Sequence, residues 1–398
     1  MQKILSAILV VIILQGCNKK NEFEYFGLTP PGNTPELFAP GFISLDNRNE
    51  AMITFSPDGK ECYFTVTENP WNDANILETT FQDTAWTTPS KTSFISSMGF
   101  CPSISADGEE LFFIGPYKNT IGVNRCTRTA EGNWSAPTAL DSVVNSGQND
   151  YSCHPSSLGS MFVCSWRSGS FGGCDGWRIP LSDGQYQKAE NMGILNSKVG
   201  DCVWAPGPDE EFLIFQSRRP PTGNQGGFFE TDLFITFAMP DGGWSVPQNL
   251  GSEINSSYTD GFAWVSHDGK YLFFSSDRNG TYDIYWVSLD STLQNTPKIP
   301  ITGENQELYD YSFYQIFDRN QTIIGFDLTR SGNVKLVLCN LKREELETIL
   351  DEFKLKGENQ FVWKGEGFEK GEYICKLQVS DETSGQVFLE SSIQVLLR

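Results

Sequence analysis

Short runs of alternating apolar and polar residues, each broken by a turn, fill most of this chain. The sharpest example is FSPDGK at 55–60, which leads into the strand-like CYFT at 62–65. The same sequence of turn then aromatic strand returns as SISADG at 103–108 with LFFI at 111–114, and as WVSHDG at 264–269 with YLFFS at 271–275. Weaker copies stand at 155–159 (PSSLG) and 206–210 (PGPDE). The turn positions 59, 108, 159, 210 and 269 are spaced by 49, 51, 51 and 59 residues. Strand-rich units at a near-constant period of this size predict an all-β protein built as a β-propeller.

Each unit parses into four strands. The first runs into the turn and the second is the aromatic run after it. The third carries an acidic-apolar-aromatic pattern (NIL at 75–77, DGW at 175–177, DLF at 232–234, DIY at 283–285). The fourth opens on an aromatic, commonly followed by Pro: WTTP at 86–89, WSAP at 134–137, Tyr186, WSVP at 244–247. Proline fits an outer strand, whose edge N–H has no partner to lose. Five turns but four such outer strands leave the last unit short, near residue 288. Residues 34–44 resemble an outer strand, and lending it to the last unit would close the ring and remove its open edges. Five blades are expected, with six as the alternative if residues 291–320 build another. Beyond residue 320, period-2 runs at 322–328, 333–339, 360–363, 371–379 and 388–397 predict a small β-sandwich. Residues 344–353 read partly as helix, with a strand or turn equally open.

The amino terminus has a different character. Lys3 precedes an apolar run at 4–14, too short for the about 20 residues that a spanning helix needs. The run ends at LQGC, 14–17, the form of a bacterial lipoprotein signal. Cys17 is then the lipid-attachment residue and first residue of a mature chain of 382. The resulting organisation is a signal peptide at 1–16, a polar tether at 17–33, a propeller at 34–289, a linker at 290–319 and an Ig-like sandwich at 320–398. The expected location is the bacterial cell envelope, with contact to membrane through the lipid alone.

Composition narrows the chemistry. A net charge of −21 argues against nucleic acid as a partner. Besides Cys17 nine cysteines remain, an odd number. Cys62, Cys101, Cys164 and Cys202 lie in strand-like runs and read as small buried apolar residues, while Cys153, Cys164 and Cys174 cluster in one repeat where a bridge could form. No CxxC pair exists and the two histidines, His154 and His267, are far apart, which disfavours a zinc site.

Nine residues before the turns stand Glu50, Gly99, Asp150, Asp201 and Asp260. Four repeats thus place an acid at the head of the innermost strand, beside the channel mouth. Two readings are open. The acids could form an axial ring for Ca²⁺ or a cationic ligand, since converging carboxylates need a cation between them. Alternatively each accepts backbone N–H bonds in its own loop. The turn acids Asp58, Asp107, Asp209 and Asp268 read as turn chemistry, and Asp175, Asp232 and Asp283 as braces of the second hairpin. Trp204 and Trp264, three and four residues after a ring acid, are candidate aromatic ligand contacts, or else packing between blades. No cofactor motif is present beyond this site for Ca²⁺. Sialidase SxDxGxTW boxes are absent, and so is a GxSxG elbow within an α/β domain.

The repeats, through SPDGK, SADGEELFF, SHDGKYLFFSSDRNGTYDIYW and the WxxP strands, resemble the WD-repeat-like units of TolB-type periplasmic proteins. They also resemble those of related lipoproteins in Bacteroidetes-like bacteria. The resemblance spans about 255 residues and implies a fold rather than an activity. The carboxyl-terminal region, with SGNVKL at 331–336, WKG at 363–365, KGEY at 370–373 and VLLR at 395–398, looks like the Ig-like module of type IX secretion cargo and of flagellar hook-capping proteins. Where those modules have an Asn-Pro-rich approach, this chain has IFDRN at 316–320. The expected function is a non-enzymatic, envelope-anchored scaffold binding an envelope protein or a glycan. The alternative is a five-bladed glycosidase working through the mouth carboxylates.

Overall fold

A computed structural model of the chain describes residues 24–397, apart from 68–72, 171–173, 198–199, 220–230, 241, 301–312, 319–320 and the single positions 329, 341, 343, 366 and 370. The signal segment and Cys17 lie outside the described residues.

The repeats fold as consecutive antiparallel sheets. The first contains Asn49–Phe55, Glu61–Thr67 and Asn75–Gln82, edged by Ala85–Trp86 and Ser90–Lys91. The second runs Phe100–Ile104, Glu110–Tyr117, Thr120–Thr127, Thr138–Ala139, and the third Asp150–Pro155, Met161–Ser165, Asp175–Ile179, Glu190–Asn191. The fourth is Asp201–Pro206, Phe212–Ser217, Asp232–Phe237 and Gln248–Asn249. The fifth has Asp260–Val265, Tyr271–Ser276 and Asp283–Ser288, and takes its outer strand from the start of the chain: Glu36–Leu37 pairs antiparallel with Trp286 and Tyr285. Each innermost strand packs against the innermost strand of the next sheet, and the fifth against the first, so the sheets form a ring. This is a β-propeller, as the period predicts.

Backbone bonds stitch neighbouring sheets at one recurring place. The N–H groups of Glu50, Gly99, Asp201 and Asp260 donate to the carbonyls of Tyr282, Ala74, Cys174 and Thr231 in the preceding sheet, at 2.7, 3.2, 2.9 and 2.9 Å. The Asp-Gly turns behave as their chemistry dictates. Ser56, Ser105 and Ser266 each donate to the turn aspartate two residues on (Asp58, Asp107, Asp268), and Gly59, Gly108 and Gly269 take φ of 71°, 78° and 72°. Asp175 and Asp232 accept from Asn191 and Asn249 and so brace the third strand to the fourth.

Residues 24–28, expected within the tether, instead pack on the seam where the ring closes. Tyr25 meets the rings of Phe55, Tyr271, Phe273 and Trp286, and Phe26 those of Phe38, Phe42, Phe55 and Trp86. Two adjacent aromatics gain more from that burial than from staying solvated.

After the propeller come a short helix, Asp290–Asn295, and two further sheets. One has the order Phe313–Asp318, Gln321–Leu328, Gly357–Trp363, and the other Glu345–Lys354, Gly332–Cys339, Gly371–Ser380, Val387–Leu397. Their shared core includes Phe326, Leu336, Leu338, Trp363 and Leu377. Residues 345–354 are a strand and not a helix. Phe313–Asp318, assigned to the linker from sequence, pairs into this sandwich and not into a further blade.

Candidate functional site

The four repeat acids are fully buried: Glu50, Asp150, Asp201 and Asp260. Each is held by an arginine of its own repeat. Arg48 bonds Glu50 at 2.5 Å, Arg167 bonds Asp150 at 3.0 Å and Arg278 bonds Asp260 at 2.5 Å, while Arg219 forms an ion pair with Asp201 at 3.1 Å. The second carboxylate oxygen accepts a loop N–H, from Leu45, Ser146, Ser197 and Ser256 respectively. The arginines in turn donate to loop carbonyls of Ile43, Val144, Leu195 and Ile254. A carboxylate so paired has its charge balanced by a cation from the protein itself. Among the described residues the four acids form no cluster at metal-ligating distance. The structure thus gives each acid a cationic partner in its own repeat.

These arginines were missed from sequence, and so were the asparagines beside them. Asn145, Asn196 and Asn255, five residues before an acid, each bond both the N–H and the C=O of one residue on the neighbouring third strand (Val123, Gly176, Leu233). The signal is present in the chain as NSGQND, NSKVGD and NSSYTD at 145–150, 196–201 and 255–260, with an arginine 17 or 18 residues after the acid. The first sheet departs from it: its arginine, Arg48, precedes the acid.

Glu50 differs electrostatically too. Burial pushes its carboxyl up to about 7, against the opposing pull of Arg48. Asp283, across the closing seam, is raised to about 6 by burial and by nearby Asp46. The seam therefore carries two carboxyls that ionise reluctantly.

Two residues beyond Glu50, Gly99, Asp201 and Asp260, the innermost strand bulges. Met52, Cys101, Val203 and Phe262 occupy left-handed backbone with φ of 55°, 54°, 49° and 54°, at register breaks in their sheets. All four are buried in one apolar cluster drawn from neighbouring innermost strands, with Cys153 beside them. Just beneath the acids, apolar side chains from successive innermost strands pack together.

Of the two readings open for Trp204 and Trp264, the structure shows packing. Trp204 has no exposed surface and stacks on Phe215 with centroids 4.1 Å apart, and its Nε1 donates to the Asp201 carbonyl at 3.2 Å. Trp264 packs among Phe55, His267 and Phe273. The bulge shifts the inside-outside alternation, so counting from the acid leaves their direction open. Among the described residues the most exposed aromatic is Trp166, 58% accessible, directly after the second strand of the third sheet; Tyr258, just before Asp260, is exposed as well. Its backbone N–H donates to the Asn149 carbonyl and its ring lies 6.1 Å from that of Tyr151. The buried anchor Arg167, one residue on, fixes the backbone so that Trp166 faces water.

On the same end of the ring, where innermost strands begin and second strands finish, the first sheet opens into a cleft of about 520 Å³. Asn47, Arg48, Asn49, Val66, Thr67, Asp73 and Asn75 line it. Its wall is rich in amide, hydroxyl and charged groups and poor in apolar ones. Arg48 links it directly to Glu50.

No family model and no curated protein matches the chain. Among solved structures, it is similar to a candidate TolB from Agrobacterium tumefaciens at 15% identity and TM-score 0.39, over 79% of this chain and 90% of that one. It is also similar to an endo-arabinase from Bacteroides thetaiotaomicron (14%, TM-score 0.42, 69% and 99%). A third is the catalytic domain of a Coprinopsis cinerea GH62 α-L-arabinofuranosidase (9%, TM-score 0.41, 64% and 97%). At such identities the likeness is one of fold alone.

Proposed function

We propose that this protein is a non-catalytic binding module of the bacterial envelope, acylated at Cys17, whose propeller mouth recognises a glycan or an envelope protein. The observation that carries this reading is the pairing of every repeat acid with an arginine and a loop amide. Glycoside hydrolysis requires two carboxyl groups free to work on one bond, about 5–10 Å apart. Carboxylates bonded as these are serve the loops that they hold. What remains at the mouth suits recognition: an outward-facing Trp166 beside Tyr151, whose rings can stack on a sugar or an apolar side chain, and a polar cleft at the first sheet. The carboxyl-terminal sandwich, Ig-like in this reading, supplies a second contact or an export signal.

A polysaccharide-array screen of the purified protein tests the reading, with Trp166→Ala as the paired variant. Binding that the variant loses supports it. Hydrolysis of a glycan, abolished by Asp150→Asn or Asp201→Asn, would overturn it in favour of the glycosidase alternative.

A further inference from the structure

We propose that Cys164, Cys174 and Cys202 form an exchange site in which one disulfide alternates between Cys164–Cys174 and Cys164–Cys202. The three residues come from separate elements. Cys164 lies in the second strand of the third sheet, Cys174 one residue before its third strand, and Cys202 in the innermost strand of the fourth. Their sulfurs all lie within 4.8 Å of one another. Cys164 and Cys174 are bonded, while the Cys202 sulfur stands 2.6 Å from that of Cys164. A disulfide uses two sulfurs, and here the third is already in place against the shared one.

The step needs nothing from outside. Cys202 loses its proton and the thiolate attacks the sulfur of Cys164. The Cys164–Cys202 bond forms as Cys164–Cys174 breaks, and Cys174 departs as a thiolate that takes up a proton. One disulfide and one thiol are present before and after, so there is no net oxidation. The consequence is architectural. The first bridge joins residues 10 apart within one sheet, whereas the second joins the third sheet to the fourth. The exchange thus sets whether that seam of the ring is covalently stapled.

The surroundings make the exchange slow at neutral pH. Burial pushes the Cys202 thiol up, Asp201 and Asp175 add to this, and Arg218 opposes it. Since only the thiolate attacks, the rate should rise about tenfold per pH unit below the thiol's pKa.

The test is disulfide mapping of the full chain, incubated between pH 6 and 9, quenched in acid with a fast alkylating agent and digested without reduction. Wild-type protein should yield both the 164–174 and the 164–202 linked peptides, approaching their final ratio faster at higher pH. Cys174→Ser, oxidised with glutathione disulfide, should yield the 164–202 link, and Cys202→Ser the 164–174 link alone. Wild-type protein that gives only the 164–174 link at every pH overturns the proposal. So does a folded Cys174→Ser protein whose Cys164 and Cys202 both remain alkylatable. A native mass showing a metal ion held by three reduced thiols would overturn it as well.

Discussion

Replacing Arg219 by alanine isolates the most deeply buried of the four arginine–carboxylate pairs. Neither Arg219 nor Asp201 has exposed side-chain surface. The guanidinium also lies 5.2 and 5.8 Å from the ring centroids of Phe215 and Phe234, so it is held by charge, by the Leu195 carbonyl and by aromatic faces together. Removing it leaves the Asp201 carboxyl buried without its cation, with the Ser197 amide as its remaining support. Breaking a buried pair on one side costs about 3–5 kcal/mol, a large part of the roughly 5–15 kcal/mol by which domains are stable. Arg48→Ala is the internal control. Its side chain is 24% exposed, water can replace it beside Glu50, and its loss should cost about 1–2 kcal/mol. Urea unfolding followed by tryptophan emission suits the measurement, because Trp204 stacks on Phe215 directly under the guanidinium. The midpoint should fall by roughly 1–2 M for Arg219→Ala. A double-mutant cycle with Asp201→Asn should return a coupling of at least ~1 kcal/mol. If Arg219→Ala unfolds at the wild-type midpoint, or costs no more than Arg48→Ala, the acids are not held by their arginines.

Millimolar Ca²⁺ should leave the melting temperature unchanged, because a ligand stabilises only where it binds the folded state; a rise that Asp201→Asn and Asp260→Asn abolish would restore the axial cation ring. Stability should fall on the order of 1–3 kcal/mol as pH rises from 5 to 8, since Glu50, raised to about 7, and Asp283, raised to about 6, bind more protons folded than unfolded across that window. Glu50→Gln should flatten that slope in pH-dependent urea titrations, and an unchanged slope would show that Glu50 is not its source. Cys17→Ser should release the protein from the membrane fraction and abolish labelling by a fatty-acid probe; unchanged fractionation would remove the anchor from the proposed function.

The turns and innermost strands were legible because their cause is local. Asp-Gly turns announce themselves within a few residues, and a period near 50 then places every unit, including the outer strand borrowed from residues 36–37. The acid column was legible in position for the same reason. Its partners were not, because Arg167, Arg219 and Arg278 sit one hairpin away and their role depends on how two loops meet. For Trp204 and Trp264 the sequence left ligand contact and packing both open, because one left-handed residue in the strand, such as Val203 or Phe262, turns over the alternation on which side-chain direction rests; both side chains pack. Trp166 gave no sign from its own neighbours. Its outward direction follows from Arg167 being buried beside it.

The pairing of Glu36 with Trp286 joins residues 250 positions apart, and that sets an order on how the molecule can be made. Chain leaves the ribosome at about 5–20 residues per second, so the first strand waits on the order of 10–50 s for its partner. Through that interval the first sheet has no neighbour on its closing side, and the aromatic cluster of Phe38, Phe55 and Trp86 lacks the Phe273 and Trp286 surface that covers it in the finished ring. A newborn chain of this design is most exposed to aggregation just before it is complete. The seam that locks the propeller is also the last part of it to become safe.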